Sequence, residues 1–515
     1  MVRAVLTDRE RWIAALMLDP DTGLDPPGIK VRAAQGLDAA STFMPGHSMG
    51  GTVVMYFLKW VEAPSYGNGG PSWVEDHIEA FVNVAGTLLG VPKAMAAFVS
   101  GEMRDTVEIN PAGAYVLEKV VSELGGEREH VDQGPSHHRP HQISRTPKAM
   151  AAFVSGEMRD TVEINPAGAY VLEKFFSRKE RARLFRSWAG SASMWIKGGD
   201  AVWGTPAPFA SETEPTPTTD TRPQTETAPI YGAPDDPPGI APEDSHARFF
   251  NFRASPPADH VLSGPGIPGN LSAEQAGNWL LGNVEEKWQK MMAMNYSYGI
   301  ERDPDQLAKN DNDHTKFSNP LEVRLPNAPS MRIFCLYGHG KDTERSYWYA
   351  ASEFEHEGSD SSTLGEECTA DLSEAAANTS CVTQRTPLDM PLSRRNMIDV
   401  AVHNETGVPK VKSGVKIGEG DGTVALLSLG AMCVEGWKSG SKWNPHGVKV
   451  ITQEMAHKPE PYDPRGGQTT SDHIDILGSE ALNMAVLRIA AGRGEDVEER
   501  FVSSIREYAK KIQWD

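Results

Sequence analysis

Cysteine is scarce in this chain: Cys335, Cys368, Cys381 and Cys433 are the only four among 515 residues. That excludes a disulfide scaffold and leaves room for one or two bridges. Long apolar runs are missing as well. None approaches the roughly 18 to 20 residues of a membrane-spanning helix, and Met1 to Asp8 lacks the apolar core of a signal peptide. The expectation is a soluble globular chain with no visible route of its own into a membrane. Positive charge is outweighed, with Lys plus Arg at 50 against Asp plus Glu at 70, a formal net charge of -20. Such a balance argues against nucleic acid or an anionic membrane as an electrostatic partner and leaves apolar membrane contact open.

What is present is long enough for two or more domains, or for one large domain carrying insertions. A 28-residue segment occurs twice without change, at Pro92 to Lys119 and Pro147 to Lys174. Identical copies do not suit a solenoid, whose repeats diverge and stack at a regular period. One folded domain offers a single slot of a given shape, so the second copy is expected to lie exposed. Between the copies, Val120 to Thr146 is polar and aperiodic and reads as disordered. Its His130, His137, His138 and His141 have neither cysteine nor helical spacing to set a coordination geometry, so no metal is expected. The divisions that follow are 1–119, with the start of a core; 120–174, a duplicated insertion; 175–204, a cap or core segment; 205–245, a Pro/Thr-rich linker or surface loop; and 246–515, the rest of the core.

Gly46-His47-Ser48-Met49-Gly50 has the G-x-S-x-G pattern of a nucleophile elbow, followed by a helix over Thr52 to Glu62. Glycine is expected at both flanks because strand and helix backbones approach too closely for a Cβ. The turn presents Ser48 at a helix N-terminus, where backbone N–H groups can hold an oxyanion, that of Met49 first. Strands are expected at His77 to Val84, Met331 to Tyr337 and Val448 to Thr452, and helices at Ala273 to Met294 and Ala425 to Met432. Strand, helix and strand in succession imply a parallel α/β sheet.

Asp421 lies in the glycine-rich turn Gly418 to Val424, where an ordinary N-cap is the simpler reading. An EF-hand fails for want of alternating oxygen ligands and a terminal Glu. His473 follows the strand at 448–452 and is one of 15 histidines. The order Ser48, Asp421, His473 is that of α/β-hydrolases, with Asp421 orienting the imidazole and His473 accepting the Ser48 proton.

Several motifs together carry a resemblance: Trp60 to Ala63, Trp73 to His77, Leu88 to Lys93, Tyr337 to Lys341 with Glu344 to Tyr347, and Gly418 to Val424. The chain resembles phospholipid:diacylglycerol acyltransferases, relatives of lecithin:cholesterol acyltransferase in the α/β-hydrolase superfamily. The resemblance implies acyl transfer from phospholipid to diacylglycerol through an acyl-serine at Ser48, with no cofactor, at a membrane surface on the lumenal face of the endoplasmic reticulum. It also implies a disulfide near the acid, for which Cys381 and Cys433 match in position while Cys368 competes. Four sequons, at Asn270, Asn295, Asn378 and Asn404, fit a lumenal setting.

One departure sets a further expectation. Only 47 residues precede Ser48, too few for four strands with crossovers of roughly a dozen residues each. Family members carry a β-rich segment between the equivalents of Gly46 and His47, together with an upstream anchor. The fold class expected is therefore an α/β-hydrolase-like parallel sheet with helices on both faces, truncated before the elbow. Hydrolysis of acyl esters is the alternative activity. A non-catalytic remnant or a mispredicted gene model is the alternative of another class.

Overall fold

Continuous apolar runs mark strands covered on both faces, and they become the inner strands of a parallel sheet. The computed structural model describes residues 43–100, 189–207, 231–253, 270–283, 286–351, 396–399, 401–461, 463 and 465–515. Among these the strands are β1 (Phe43–His47), β2 (Ala80–Val84), β3 (Phe250–Arg253), β4 (Arg332–His339), β5 (Thr343–Ala351), β6 (Asn396–Ile398), β7 (Val411–Lys412), β8 (Val415–Gly418) and β9 (Lys449–Ala456). The first sheet has the order β1-β2-β4-β9 and every pair in it is parallel. All five residues of β2 are buried, as are Ile333 to Gly338 of β4.

Among the described residues β1 forms the edge of this sheet. Pro45 sits there, paired to Val82 and facing outward, a place suited to a residue without an N–H to donate. The helix Met49–Glu62 follows, with Val54, Met55, Leu58 and Val61 turned into the core.

Several elements differ from expectation. The helix after the elbow starts at Met49 rather than Thr52. His77 closes a short helix, Trp73–His77, and its strand begins only at Ala80. The expected helix from Ala273 to Met294 is two helices, Ala273–Gly282 and Glu286–Asn295. The first opens with a Ser272/Gln275 capping box and ends at Gly282, with Asn283 as its non-helical cap, residues that favour termination. The helix Leu426–Ala431 runs on into a π-helical turn, Met432–Gly436.

A second sheet was not foreseen. It joins β3, β5, β8 and β7 in that order, with β6 on β5, and every pair but β3–β5 is antiparallel. Residues 231–245, expected within a linker, are instead packed against it. Asp235 accepts two hydrogen bonds from Arg345 of β5, at 2.7 and 2.8 Å, and both side chains are buried. The guanidinium also lies 4.7 Å from the Trp203 ring, where a cation is attracted to the aromatic face. A buried charge pair held this way cannot belong to a free tether.

The duplication is only partly within view. The start of its first copy is the helix Pro92–Ser100, with Met95, Phe98 and Val99 in the core. The second copy, residues 120–174 as a whole, the four histidines between the copies, and Cys368 and Cys381 lie outside the described residues. Among the described residues no helix is long and apolar enough to cross a membrane.

Candidate active site

Ser48 takes φ 57° and ψ -128°, a conformation costly for a residue with a side chain and persistent only where its surroundings fix it. Those surroundings are hydrogen bonds: Ser48 N–H donates to Val84 O at 3.0 Å, and Ser48 O accepts from Gly51 N–H at 3.0 Å. Gly46 has the close approach expected of it, since a Cβ there would meet Gly50 O at 2.7 Å. Gly50 does not, because a Cβ on it would meet nothing within 4 Å. The second tight position is Gly51, where a Cβ would lie 2.2 Å from Asn83 Oδ1. Helix and β2 therefore touch at the residue after the motif. Met49 opens the helix, so its N–H is among those left without an intrahelical acceptor.

Asp421 is fully buried, in the loop bridged to Lys341 just beyond the end of β4. Its Oδ1 accepts from the N–H groups of Thr423 and Val424, at 3.0 and 2.8 Å. Oδ2 lies 2.7 Å from His473 Nδ1. This aspartate closes its own turn with one oxygen and reaches the imidazole with the other; the helix that follows has Ala425 as its N-cap, so the N-cap reading of Asp421 does not hold. The other ring nitrogen, Nε2, lies 2.8 Å from Ser48 Oγ. Residues 425 positions apart are thus brought into one hydrogen-bonded row.

The main chain of His473 is held on both sides. Its N–H donates to Asp421 O at 2.9 Å, and its carbonyl lies 2.8 Å from His47 Nε2. Burial lowers the His47 pKa, and the contact with the His473 carbonyl opposes this without overcoming it. A neutral His47 donating from Nε2 is the form the geometry favours. The loop before His473 packs closely on the end of β4, since a Cβ on Gly338 would lie 1.7 Å from Ser471 O.

Three neighbours of this row were not assigned roles from the sequence: His47, Lys341 and Asp472. Lys341 Nζ lies 2.9 Å from Asp472 Oδ2. Burial would raise the Asp472 pKa, but Lys341 and the N–H groups of Asp475 and Ile474 hold it below the usual range. The available signal is position, because Lys341 lies two residues beyond the end of β4 and is bridged to Asp421.

The disulfide expectation needs correction. Cys433 is bonded to Cys335, not to Cys381. Cys335 stands in the middle of β4 and Cys433 in the π-helical turn over it, with Cα atoms 6.5 Å apart, within the range a bridge spans. Sequence position near the acid did not reveal that the central strand passes beneath that turn.

The sequence model described as "Lecithin:cholesterol acyltransferase" matches residues 1–45, 41–125 and 143–480. A "Phospholipid:diacylglycerol acyltransferase" of Schizosaccharomyces pombe is 30% identical, with 100% of this chain and 71% of the relative covered. The protein of the same description from Saccharomyces cerevisiae is 28% identical, covering 99% and 67%. "Phospholipid:diacylglycerol acyltransferase 1" of Arabidopsis thaliana is 26% identical, covering 97% and 77%. The chain belongs to the lecithin:cholesterol acyltransferase family of lipid O-acyltransferases, within the α/β-hydrolase superfamily.

Proposed function

We propose that this chain moves a fatty acyl group from a phospholipid to diacylglycerol through an ester on Ser48, releasing a lysophospholipid and triacylglycerol. His473 Nε2 takes the hydroxyl proton as Ser48 Oγ attacks the ester carbonyl carbon. Asp421 holds the opposite N–H and balances the imidazolium that forms. The carbonyl oxygen becomes an oxyanion, and the Met49 N–H at the helix N-terminus is a donor to it. Collapse breaks the bond to the glycerol oxygen, and His473 returns its proton to the departing lysophospholipid. The diacylglycerol hydroxyl then gives its proton to the same nitrogen and attacks the acyl-serine. A second collapse frees triacylglycerol, and Ser48 recovers a proton from His473.

One observation carries this reading: Ser48 Oγ and Asp421 Oδ2 lie on opposite nitrogens of His473, at 2.8 and 2.7 Å. A non-catalytic remnant gives no reason for those contacts to survive. Phospholipid and diacylglycerol are the substrates for which the relatives are named. The Cys335–Cys433 bridge supports a lumenal site, because disulfides persist in oxidising compartments. Hydrolysis shares every step until water replaces the acceptor alcohol, so products separate the two.

The test supplies phospholipid labelled in its acyl chain together with diacylglycerol. Label is expected in triacylglycerol and absent with Ser48→Ala. Label found only in free fatty acid would reject the transferase reading in favour of hydrolysis.

A further inference from the structure

Lys341 belongs to neither the Ser48 nor the His473 segment, yet it touches the loops that carry the acid and the base. Its backbone pairs with that of Asp421 in a parallel bridge beyond the end of β4. Its N–H donates to Gly420 O at 3.3 Å, and its carbonyl accepts from Thr343 Oγ1 at 2.9 Å. The same Thr343 oxygen accepts from Gly422 N–H at 2.8 Å. The aliphatic stem crosses Gly422, where φ is +93° and a Cβ would meet Lys341 Cδ at 2.7 Å. Glycine there provides both the backbone conformation and the channel for the stem.

The ammonium then reaches Asp472, next to His473 in the chain, at 2.9 Å. The other Asp472 oxygen accepts from the N–H groups of Ile474 and Asp475, at 3.0 and 2.7 Å. Asp472 thereby ties the turn that follows His473 to the Lys341 ammonium. With 13% and 19% of the two side chains exposed, the pair is shielded from the screening that leaves open surface pairs nearly worthless.

We propose that Lys341 is a positioning residue, a brace that holds the His473 loop in register with the Asp421 loop so that the imidazole meets Ser48. This rests on the reading of Ser48 as the nucleophile. The brace does not contact the reacting atoms, so its loss moves the imidazole rather than removing a reactant. Displacement by about 1 Å in such a row can reduce rate on the order of a hundredfold.

The test measures the rate at which a fluorophosphonate phosphonylates Ser48. The serine oxygen attacks phosphorus, fluoride leaves, and His473 takes the proton, with no lipid required. Lys341→Met and Asp472→Asn are each expected to slow labelling between about tenfold and a hundredfold. Asp472→Asn retains an oxygen for the two N–H groups, so it isolates the ion pair even where Lys341→Met folds poorly. Combining the two is expected to slow labelling no further than Lys341→Met alone, since that change already removes the ion pair that Asp472→Asn removes. Lys341→Arg, which keeps a cation on a side chain of similar reach, is expected to restore most of the rate relative to Lys341→Met. Rates are normalised to the folded fraction measured by circular dichroism.

A parent protein labelled at Ser48 whose rate is unchanged by Asp472→Asn would overturn the brace alone. A parent protein never labelled at Ser48 would overturn the proposed function and the brace together.

Discussion

Lys197 is a fully buried amine whose Nζ donates to the carbonyl of Ser193, at 2.8 Å, and makes no ion pair among the described residues. Burial pulls its pKa down to about 7 from 10.5, because the charged form loses its hydration. The unfolded chain therefore holds a proton that the folded chain lacks between about pH 7 and pH 10.5. Stability attributable to this residue rises with pH across that window and is lost as pH falls toward 7. Lys197→Met is expected to stabilise most at and below pH 7, by up to a few kcal/mol, with the gain fading toward pH 10. Denaturant unfolding at a series of pH values checks this, and a gain independent of pH would contradict it. Sequence offered no hint of Lys197, since a lysine is ordinarily at the surface. Ser48, Asp421 and His473 were legible through motif and order, whereas the tight glycine after the motif was not. Gly51 differs from Gly50 only in facing Asn83, a contact between separate elements.

Elements repeat that division. The inner parallel strands could be read because burial on both faces leaves continuous apolar sequence, as in Ala80–Val84. The second sheet could not, because β3, β6, β7 and β8 have only two to four residues each and its middle strand β5 mixes Thr, Glu, Arg and Ser with aromatics. Residues 231–245 carry the composition of a loop, and groups arriving from elsewhere, Arg345 of β5 on Asp235 and Lys416 of β8 on Glu243 O, show why they are fixed. The Cys335–Cys433 bond joins two such separately legible pieces, the central strand and the turn following the Asp421 helix. Replacing both cysteines by alanine is expected to reduce stability by about 2–5 kcal/mol. Reduction of the unmodified protein is expected to lower its denaturation midpoint likewise, and by more than it lowers that of the double variant. Equal midpoints before and after reduction would contradict a stabilising role.

At the scale of the molecule, the parallel sheet delivers three distant segments to one edge. Ser48 follows β1, the Asp421 loop is bridged to Lys341 beyond the end of β4, and the His473 loop follows β9, at the strand ends where α/β folds gather their chemistry. Chain order made that arrangement legible, since Ser, Asp and His in this sequence along the chain suit one topology. The backbone of Ser48 is bonded to β2 through Val84 O and to the following helix through Gly51 N–H. The most direct measurement is to mix the protein with labelled phospholipid, quench within one turnover and locate the label by peptide mapping. The account predicts an acyl ester on Ser48 that a chase of diacylglycerol converts to triacylglycerol. Triacylglycerol formed with no ester on Ser48, or with the label on another residue, would contradict it.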